Sequence, residues 1–375
     1  MKRLAVVLSS AAALAACVPD LPGSQLTGNA AAGPSSAGAA GAGVGGSGGA
    51  GPGTGAGMGS GGTAATSSGG IGGKAVTGAG GTDIAPPSPY LFVADAGQPQ
   101  NLAVDSMFVY WANARTGSLM RAALAGGPPM LLASGPASAT GWVAVDSASV
   151  YWLWSSGPAS EIDTVATAGN FQPTKVASTT TVVQQMAVNR AGIYWIEAVG
   201  PVMETGLNGG TPTQLATTQI ANDVAADEQY VYWVAGFTDN GCNPPCYSIM
   251  QVRDSGGTPV QLFPPQPSGI WSLALDATHV YWIDSVSGFV MRVGKAGGTP
   301  EIVETIGVKA TSVAADDSGV YWMDESGAIN AAQSDGSSPR LVALAPSLPA
   351  YGITLDDASV YWIGARTGSI FRAPK

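Results

Sequence analysis

Few side chains in this sequence of 375 residues could do chemistry. It contains one histidine, His279, and three cysteines, Cys17, Cys242 and Cys246. A Ser-His-Asp triad could only be built on His279, and no P-loop, HExxH or haem-attachment motif is present. Two cysteines without a second pair of ligands do not make a zinc site. We therefore expect no catalytic residue, no bound metal and no cofactor.

A short acid or amide recurs seven times, each time just before a run that contains Tyr-Trp: Asp105, Asp146, Asn189, Asp227, Asp276, Asp316 and Asp356. We interpret these residues as turn formers whose side chains accept hydrogen bonds from backbone amides. A catalytic carboxylate ring is the alternative. His279 lies in one of these turns and is interpreted as a surface substituent. A Ca²⁺ site would require several rim acids to converge, the candidates being Glu197, Asp284, Asp324 and Glu325.

The elements that position these residues form a repeat. Val/Ile-Tyr-Trp occurs seven times, with tyrosines at positions 110, 151, 194, 232, 281, 321 and 361, and the intervals of 38 to 49 residues suit four-stranded propeller blades. Val and Trp share one face of each strand and Tyr takes the other, so neighbouring sheets must cover both faces. We therefore interpret the aromatic rings as inter-blade core, in preference to a sugar-binding site.

Strand order and ring closure follow from the same repeat. The residue two before each recurring acid or amide is Ala in six repeats and Thr in the seventh, which suits a strand beside a crowded axis. Proline opens the fourth strand, as an edge strand tolerates. The last repeat ends at Lys375 without a fourth strand, and Pro89–Val93 lines up with fourth strands elsewhere. The sequence predicts an all-β, seven-bladed propeller of four-stranded antiparallel blades over residues 86–375, closed by the N-terminal strand in the C-terminal blade.

Two of the repeats resemble a known family. Val280–Asp284 and Val320–Asp324 are similar to the YWTD propeller repeats of low-density-lipoprotein-receptor-type proteins. Only the two aromatic residues recur throughout, the Thr is absent, and those receptors have six blades. The resemblance implies the fold and not a receptor function.

The N-terminus carries an export signal. Lys2 and Arg3 precede an apolar run, Leu4–Ala16, that is too short to span a bilayer and suits a signal peptide. Its end, Leu14-Ala15-Ala16-Cys17, resembles the lipobox of bacterial lipoproteins. This resemblance implies that residues 1–16 are removed, that Cys17 is lipidated, and, because Val18 follows the cysteine, that the outer membrane is the destination. An ordinary secretory signal is the alternative.

Residues 17–85 comprise the lipidated Cys17 and a stretch rich in Gly, Ala and Ser. The composition of this stretch predicts a disordered linker. The expected location is the cell envelope, on a periplasmic or surface-facing side of the membrane. Such a compartment is oxidising, so we expect a disulfide between Cys242 and Cys246.

Charge excludes one class of partner. Charged residues make up only 11% of the chain and its net charge is −10, which repels the phosphates of nucleic acids. The expected partners are the membrane, through the N-terminal lipid, and an envelope protein or a glycan. We expect a monomer.

We expect binding where the repeat is interrupted, on the rim shared by the loops between second and third strands and by the connections between blades. The largest insertion there runs from Val234 to Tyr247. The candidate ligand- or partner-binding residues are Arg115, Arg366, Trp154, Asp223, Phe237, Asp239, Tyr247 and Trp271. The two arginines stand in identical Ala-Arg-Thr-Gly-Ser segments, where they could hold a carboxylate or phosphate or be solvated turn residues.

A further set lies four residues before the recurring acid or amide, and we expect it to ring the channel mouth: Asn101, Gln185, Asp223, Ser272 and Ser312, with Trp142 in the equivalent place of the second blade. The leading hypothesis is a lipid-anchored, non-enzymatic binding module of the envelope. The alternatives are a lyase or hydrolase with a metal or carboxylate site at the channel mouth, and a structural spacer.

Overall fold

The computed structural model describes residues 89–135, 141–157, 159–169, 171–198, 200–218, 220–238, 242, 245–304 and 308–375. The signal peptide, Cys17, the linker and Asp239 lie outside the described residues. Within the described part of the chain, no helix is long and apolar enough to cross a membrane.

Over these described residues, twenty-eight strands form seven four-stranded antiparallel sheets. Blade one comprises β2 (Ala103–Val104), β3 (Phe108–Asn113), β4 (Ser118–Ala123) and β5 (Met130–Ala133). Blade two comprises β6 (Val143–Val145), β7 (Ser149–Ser156), β8 (Ala159–Ala166) and β9 (Thr174–Thr179). Blade three comprises β10 (Val183–Val188), β11 (Ile193–Glu197), β12 (Val202–Thr205) and β13 (Thr213–Ala216). Blade four comprises β14 (Ile220–Ala226), β15 (Tyr230–Phe237), β16 (Cys246–Arg253) and β17 (Val260–Gln261).

Blade five comprises β18 (Ile270–Leu275), β19 (His279–Asp284), β20 (Val290–Gly294) and β21 (Glu301–Glu304). Blade six comprises β22 (Ala310–Asp316), β23 (Gly319–Asp324), β24 (Ala328–Ala332) and β25 (Arg340–Leu344). Blade seven combines β26 (Ala350–Leu355), β27 (Ser359–Gly364) and β28 (Ser369–Pro374) with β1 (Tyr90–Val93).

The first strands of successive blades contact one another, and β26 contacts β2, so the seven sheets form a closed ring. The predicted seven-bladed propeller and its inner-to-outer strand order are confirmed. The predicted closure is confirmed too, because β1 pairs antiparallel with β28 and places Leu91 opposite Phe371. The first and last strands therefore belong to one sheet.

The Tyr-Trp pairs form the core between the blades. All seven tyrosines and all seven tryptophans of the repeat are at most 3% exposed. The tyrosine of one blade and the tryptophan of the next share an interface, as Tyr232 does with Trp282 and Tyr281 with Trp322. Because every blade repeats this exchange, burial of large aromatic surface holds the whole ring together.

Candidate functional site

The propeller has two faces. The loop face carries the loops between second and third strands and the connections between blades. The turn face carries the turns between first and second strands and those between third and fourth strands. The predicted binding residues that the structure describes belong to the loop face or to the inner strands beneath it.

The residues expected at the channel mouth join neighbouring blades. Asn101 of blade one donates to the carbonyl oxygen of Val143 in blade two (2.9 Å) and accepts from its amide (2.8 Å). Asp223 of blade four accepts from the Leu273 amide of blade five (2.9 Å). Comparable hydrogen bonds to the backbone of the next blade are made by the side chains of Gln185, Ser272 and Ser312.

These five side chains are at most 2% exposed, and their hydrogen bonds fasten one inner strand to the next. Trp142 is also buried, at 6% exposure. The bonding partner of each side chain lies about 40 residues away in the next blade. Asp223 thus has an inter-blade contact, and its predicted role in binding stays a prediction.

The blade-four insertion is shorter than its sequence indicates, since β15 extends to Phe237 and β16 begins at Cys246. A disulfide joins Cys242 to Cys246, with an S–S distance of 2.06 Å. Phe237 is half-buried against the core between blades three and four. Tyr247 is half-buried against the core between blades four and five. Both rings are therefore only partly exposed, and the backbone pairing of β15 with β16 continues through both residues.

The two arginines of the repeated segment are exposed on neighbouring loops. Arg115 Nη1 lies 2.8 Å from Asp95 Oδ1. The segment that carries Asp95 bridges the loops, since the Ala96 amide donates to Gly368 and the Arg115 amide to Gly97. Among the described residues no acid pairs with Arg366. An anion held by both guanidinium groups would therefore have to compete with Asp95.

The remaining predicted tryptophans differ in exposure. Trp154 is half-buried, and its indole Nε1 donates to Asp163 Oδ2 at 2.8 Å. Burial raises the pKa of Asp163, although this bond opposes the shift. Trp271 is 40% exposed on the loop face. Of the two, Trp271 offers the larger exposed surface to a partner.

The loop face exposes further apolar side chains besides Trp271, among them three from blades five to seven. Val286, Val308 and Leu348, from blades five to seven, are 68%, 40% and 42% exposed. We call Trp271, Val286, Val308 and Leu348 the loop-face patch. Hydrogen bonds between neighbouring loops brace it, including Ser285 to Gly269 and Ala310 to Gly288. Sequence reasoning missed three of the four, because a single apolar residue in a loop has no periodic signal.

On the turn face the recurring acids form the expected turns. Asp276 Oδ1 accepts from the amides of Thr278 and His279, both at 2.6 Å, and Oδ2 accepts from the Tyr281 hydroxyl at 2.6 Å. The same tyrosine bond recurs at Asp105, Asp146, Asn189, Asp227 and Asp356. In blade six, Ser318 links Tyr321 to Asp316. These side chains close the turns, which disfavours the carboxylate-ring alternative.

The turns set the ionisation of both partners. Burial raises the pKa of Asp276, but the bonds from Tyr281, Thr278 and His279 outweigh it and leave the pKa below its ordinary value. Burial and the carboxylate together raise the pKa of Tyr281. His279 is half-buried, with Nδ1 2.8 Å from Thr278 Oγ1 and 3.8 Å from Asp276. The described residues contain no group of three or more His, Cys, Asp or Glu side chains that could hold a metal ion.

The turn face also contains a cavity of about 940 Å³ that no sequence signal indicated. It is lined by turns from blades two to six and extends over blade four, between Leu207 and Lys295. It opens on the face opposite the loop-face patch. Its lining residues come from the turns of five blades. The sequence of a single repeat does not show how the side chains of different turns meet.

Comparison with known proteins supports the fold. No protein-family model matches the chain, and no curated protein sequence matches it. Virginiamycin B lyase from Staphylococcus aureus superposes with a TM-score of 0.58 at 11% identity, covering 77% of this chain and 99% of the lyase. The tricorn protease gives 0.57 at 10% identity (78% and 34% covered), and the designed protein Ika8 gives 0.54 at 13% (77% and 100%). At these identities the likeness shows the β-propeller fold alone.

Proposed function

We propose that this chain is a non-enzymatic binding module of the bacterial cell envelope that docks a protein partner on its loop face. The observation that carries the proposal is the loop-face patch, with Trp271 40% and Val286 68% exposed. Exposed apolar side chains on loops that a rigid scaffold holds on one face are typical of interaction sites. A tryptophan within such a group is the kind of residue that dominates binding energy.

The rest of the molecule fits a scaffold that presents loops. Inter-blade bonds from Asn101 and Asp223 and the buried aromatic core leave the blades little freedom to move. A rigid surface loses little conformational entropy when it binds, which favours affinity. The chain is acidic, with a net charge of −10, so a neutral or basic protein surface suits it better than an acidic one.

The test begins with identification of a partner by cross-linking in envelopes of the source bacterium, followed by affinity measurement on the purified pair. The double variant Trp271→Ser/Val286→Ser should weaken binding at least about 30-fold, as expected for removal of a tryptophan hot spot. The matched control is Leu131→Ser/Ile302→Ser, which alters equally exposed side chains on outer strands, 56% and 51% exposed. An equal loss in both variants, or none in the first, would contradict the docking site. Competition by a glycan alone would assign the face to a sugar.

We further propose that the propeller is tethered through lipidated Cys17, on the strength of the lipobox resemblance and the linker that follows it. Metabolic labelling with an alkyne fatty acid should mark the chain and move it into the detergent phase. Cys17→Ser should abolish both. An unlabelled, soluble wild-type chain would support the ordinary secretory signal instead.

The lyase or hydrolase alternative requires a metal or carboxylate site at the channel mouth. It predicts tight Ca²⁺ or Mg²⁺ binding by the purified chain, which calorimetric titration measures directly. No single observation favours it over the binding module.

A further inference from the structure

The cavity on the turn face lies on the face opposite the proposed docking site. Its wall carries five acidic and two basic side chains. Apolar surface is contributed by Val188, Leu207 and Leu275. A cavity with hydrocarbon walls and an excess of negative charge attracts a small cation with an apolar body.

The fold already binds cations on this face with its own side chains. Lys295 Nζ lies 2.8 Å from Asp227 Oδ2 and 5.6 Å from the centre of the Tyr232 ring. Lys375 makes the same contacts with Asp316 and Tyr321 in the sixth blade. A turn carboxylate and the adjoining tyrosine ring thus hold an ammonium group between two blades.

Five of the seven blade tyrosines have a lysine or arginine of this chain nearby: Arg121, Lys295, Arg292, Lys375 and Arg372. Tyr151 and Tyr194 are the exceptions among the described residues. In blade five the residue paired with the blade tyrosine is Arg292, and Lys295 follows it by three positions. In blade seven the paired residue is Arg372, and Lys375 follows it by three positions. Each lysine contacts the tyrosine of the preceding blade. In blade three the residue paired with the blade tyrosine is Glu204. Three positions later stands Leu207, which is therefore the position that would supply a cation to Tyr151 of blade two.

Tyr151 therefore has a carboxylate beside it but no cation from the chain. Asp146 Oδ2 accepts from the Tyr151 hydroxyl at 3.0 Å. The strand residue paired with Tyr151 is Thr164, which is neutral. Among the described residues no lysine or arginine forms an ion pair with Asp146. Asp146 and Leu207 both line the cavity.

We propose that the turn-face cavity binds a small aliphatic amine. Its ammonium group occupies the place beside Asp146 and Tyr151 that the Lys295 ammonium takes beside Asp227 and Tyr232. Its hydrocarbon body lies against Leu207, Val188 and Leu275. This site does not depend on the proposed docking of a protein partner, because it lies on the other face.

The experiment is calorimetric titration of the full chain with hexamethylenediamine and with the neutral diol of equal length. The diamine should bind and the diol should not. Asp146→Asn should weaken diamine binding about tenfold, the worth of one charge-assisted hydrogen bond. The turn should survive this change, because Asn189 fills the same role in blade three. Asp105→Asn, in a turn of blade one outside the cavity lining, is the matched control and should bind as the wild type does.

In Leu207→Lys the protein itself supplies the missing ammonium group, so this variant should no longer bind the diamine. The substitution removes none of the hydrogen bonds that Asp146 makes in its turn. Melting curves of each variant identify any that fails to fold, and Leu207→Lys then provides the test alone. Equal affinity for diamine and diol would overturn the proposal. Equal weakening by Asp146→Asn and Asp105→Asn, or no diamine binding by the wild type at millimolar concentration, would also overturn it.

Discussion

The recurring unit at the scale of single residues is a turn acid joined to the tyrosine of its own blade. Asp276 has two amides on one oxygen and the Tyr281 hydroxyl on the other, and both residues are buried. The carboxylate restricts the conformation of the turn, and the tyrosine hydroxyl donates a hydrogen bond to the second carboxylate oxygen. The residues that look most like catalytic carboxylates therefore have an architectural role.

Tyr281→Phe should lower the free energy of unfolding by about 1.5–3 kcal/mol at neutral pH, since it removes a hydrogen bond to a buried carboxylate. The pKa of folded Asp276 is below its ordinary value of 3.8, so its stabilisation exists above that pH and is lost as the pH falls through the folded value. The difference from wild type should shrink in acid. Denaturant unfolding at several pH values measures it. Tyr321→Phe, which loses a serine contact, should cost less and depend less on pH.

Glu204 has the opposite electrostatics. Burial, and then the charge of Asp254, raise the pKa of Glu204 although Thr213 donates to it. A raised pKa means that folding disfavours the charged carboxylate, so stability declines as the pH rises through the ordinary value of 4.5 towards the folded pKa. Glu204→Gln should therefore raise the melting temperature at pH ~7. The gain should vanish in acid, and Glu301→Gln, which breaks an ion pair with Arg292, should produce no gain.

At the scale of elements, each sheet is stabilised by the two sheets beside it. The Trp282 ring stacks on Phe263 at 5.1 Å with an interplanar angle of 10°, within the core that also contains Tyr232. The inner strands are joined by side-chain bonds such as that of Asn101 to Val143. An isolated blade would leave both apolar faces open, so blades are stable only as neighbours.

Trp282→Ala should lower the free energy of unfolding by about 3–5 kcal/mol, because it removes a buried indole and leaves a cavity between two blades. Trp271→Ala is the matched control, since that ring is already 40% exposed, and it should cost well under half as much. Guanidinium unfolding followed by circular dichroism measures both. A melting temperature unchanged by Trp282→Ala would contradict the core assignment.

At the scale of the whole molecule, stability depends on closing the ring. Strand β1 completes the seventh sheet, where Tyr90 lies opposite Arg372 and Val93 opposite Ile370. Val93 is 3% exposed and packs with Trp111 of blade one. Without β1 the third strand of the blade, β28, would lose its pairing partner and become an unprotected edge, and a bare strand edge invites aggregation.

Val93→Asp should open the seam, because it buries an unpaired charge beside Ile370. We expect a lower melting temperature and concentration-dependent association. Leu91→Asp, on the same strand but 54% exposed, should leave both nearly unchanged. Scanning calorimetry and light scattering measure the two effects, and equal behaviour of the two variants would contradict closure through β1.

The sequence by itself determined the number of blades, the order of their strands, the aromatic core and the closing strand. Alternation of side chains and the interval between repeats are local properties of the chain, so Val-Tyr-Trp and the segment Pro89–Val93 could be read directly. Only the tertiary structure decided that Asn101 and Asp223 hydrogen-bond to the next blade, that Val286 and Val308 are exposed on the same face as Trp271, and that a cavity forms beside Asp146. Each of these depends on how side chains from different sheets meet, which no single repeat encodes.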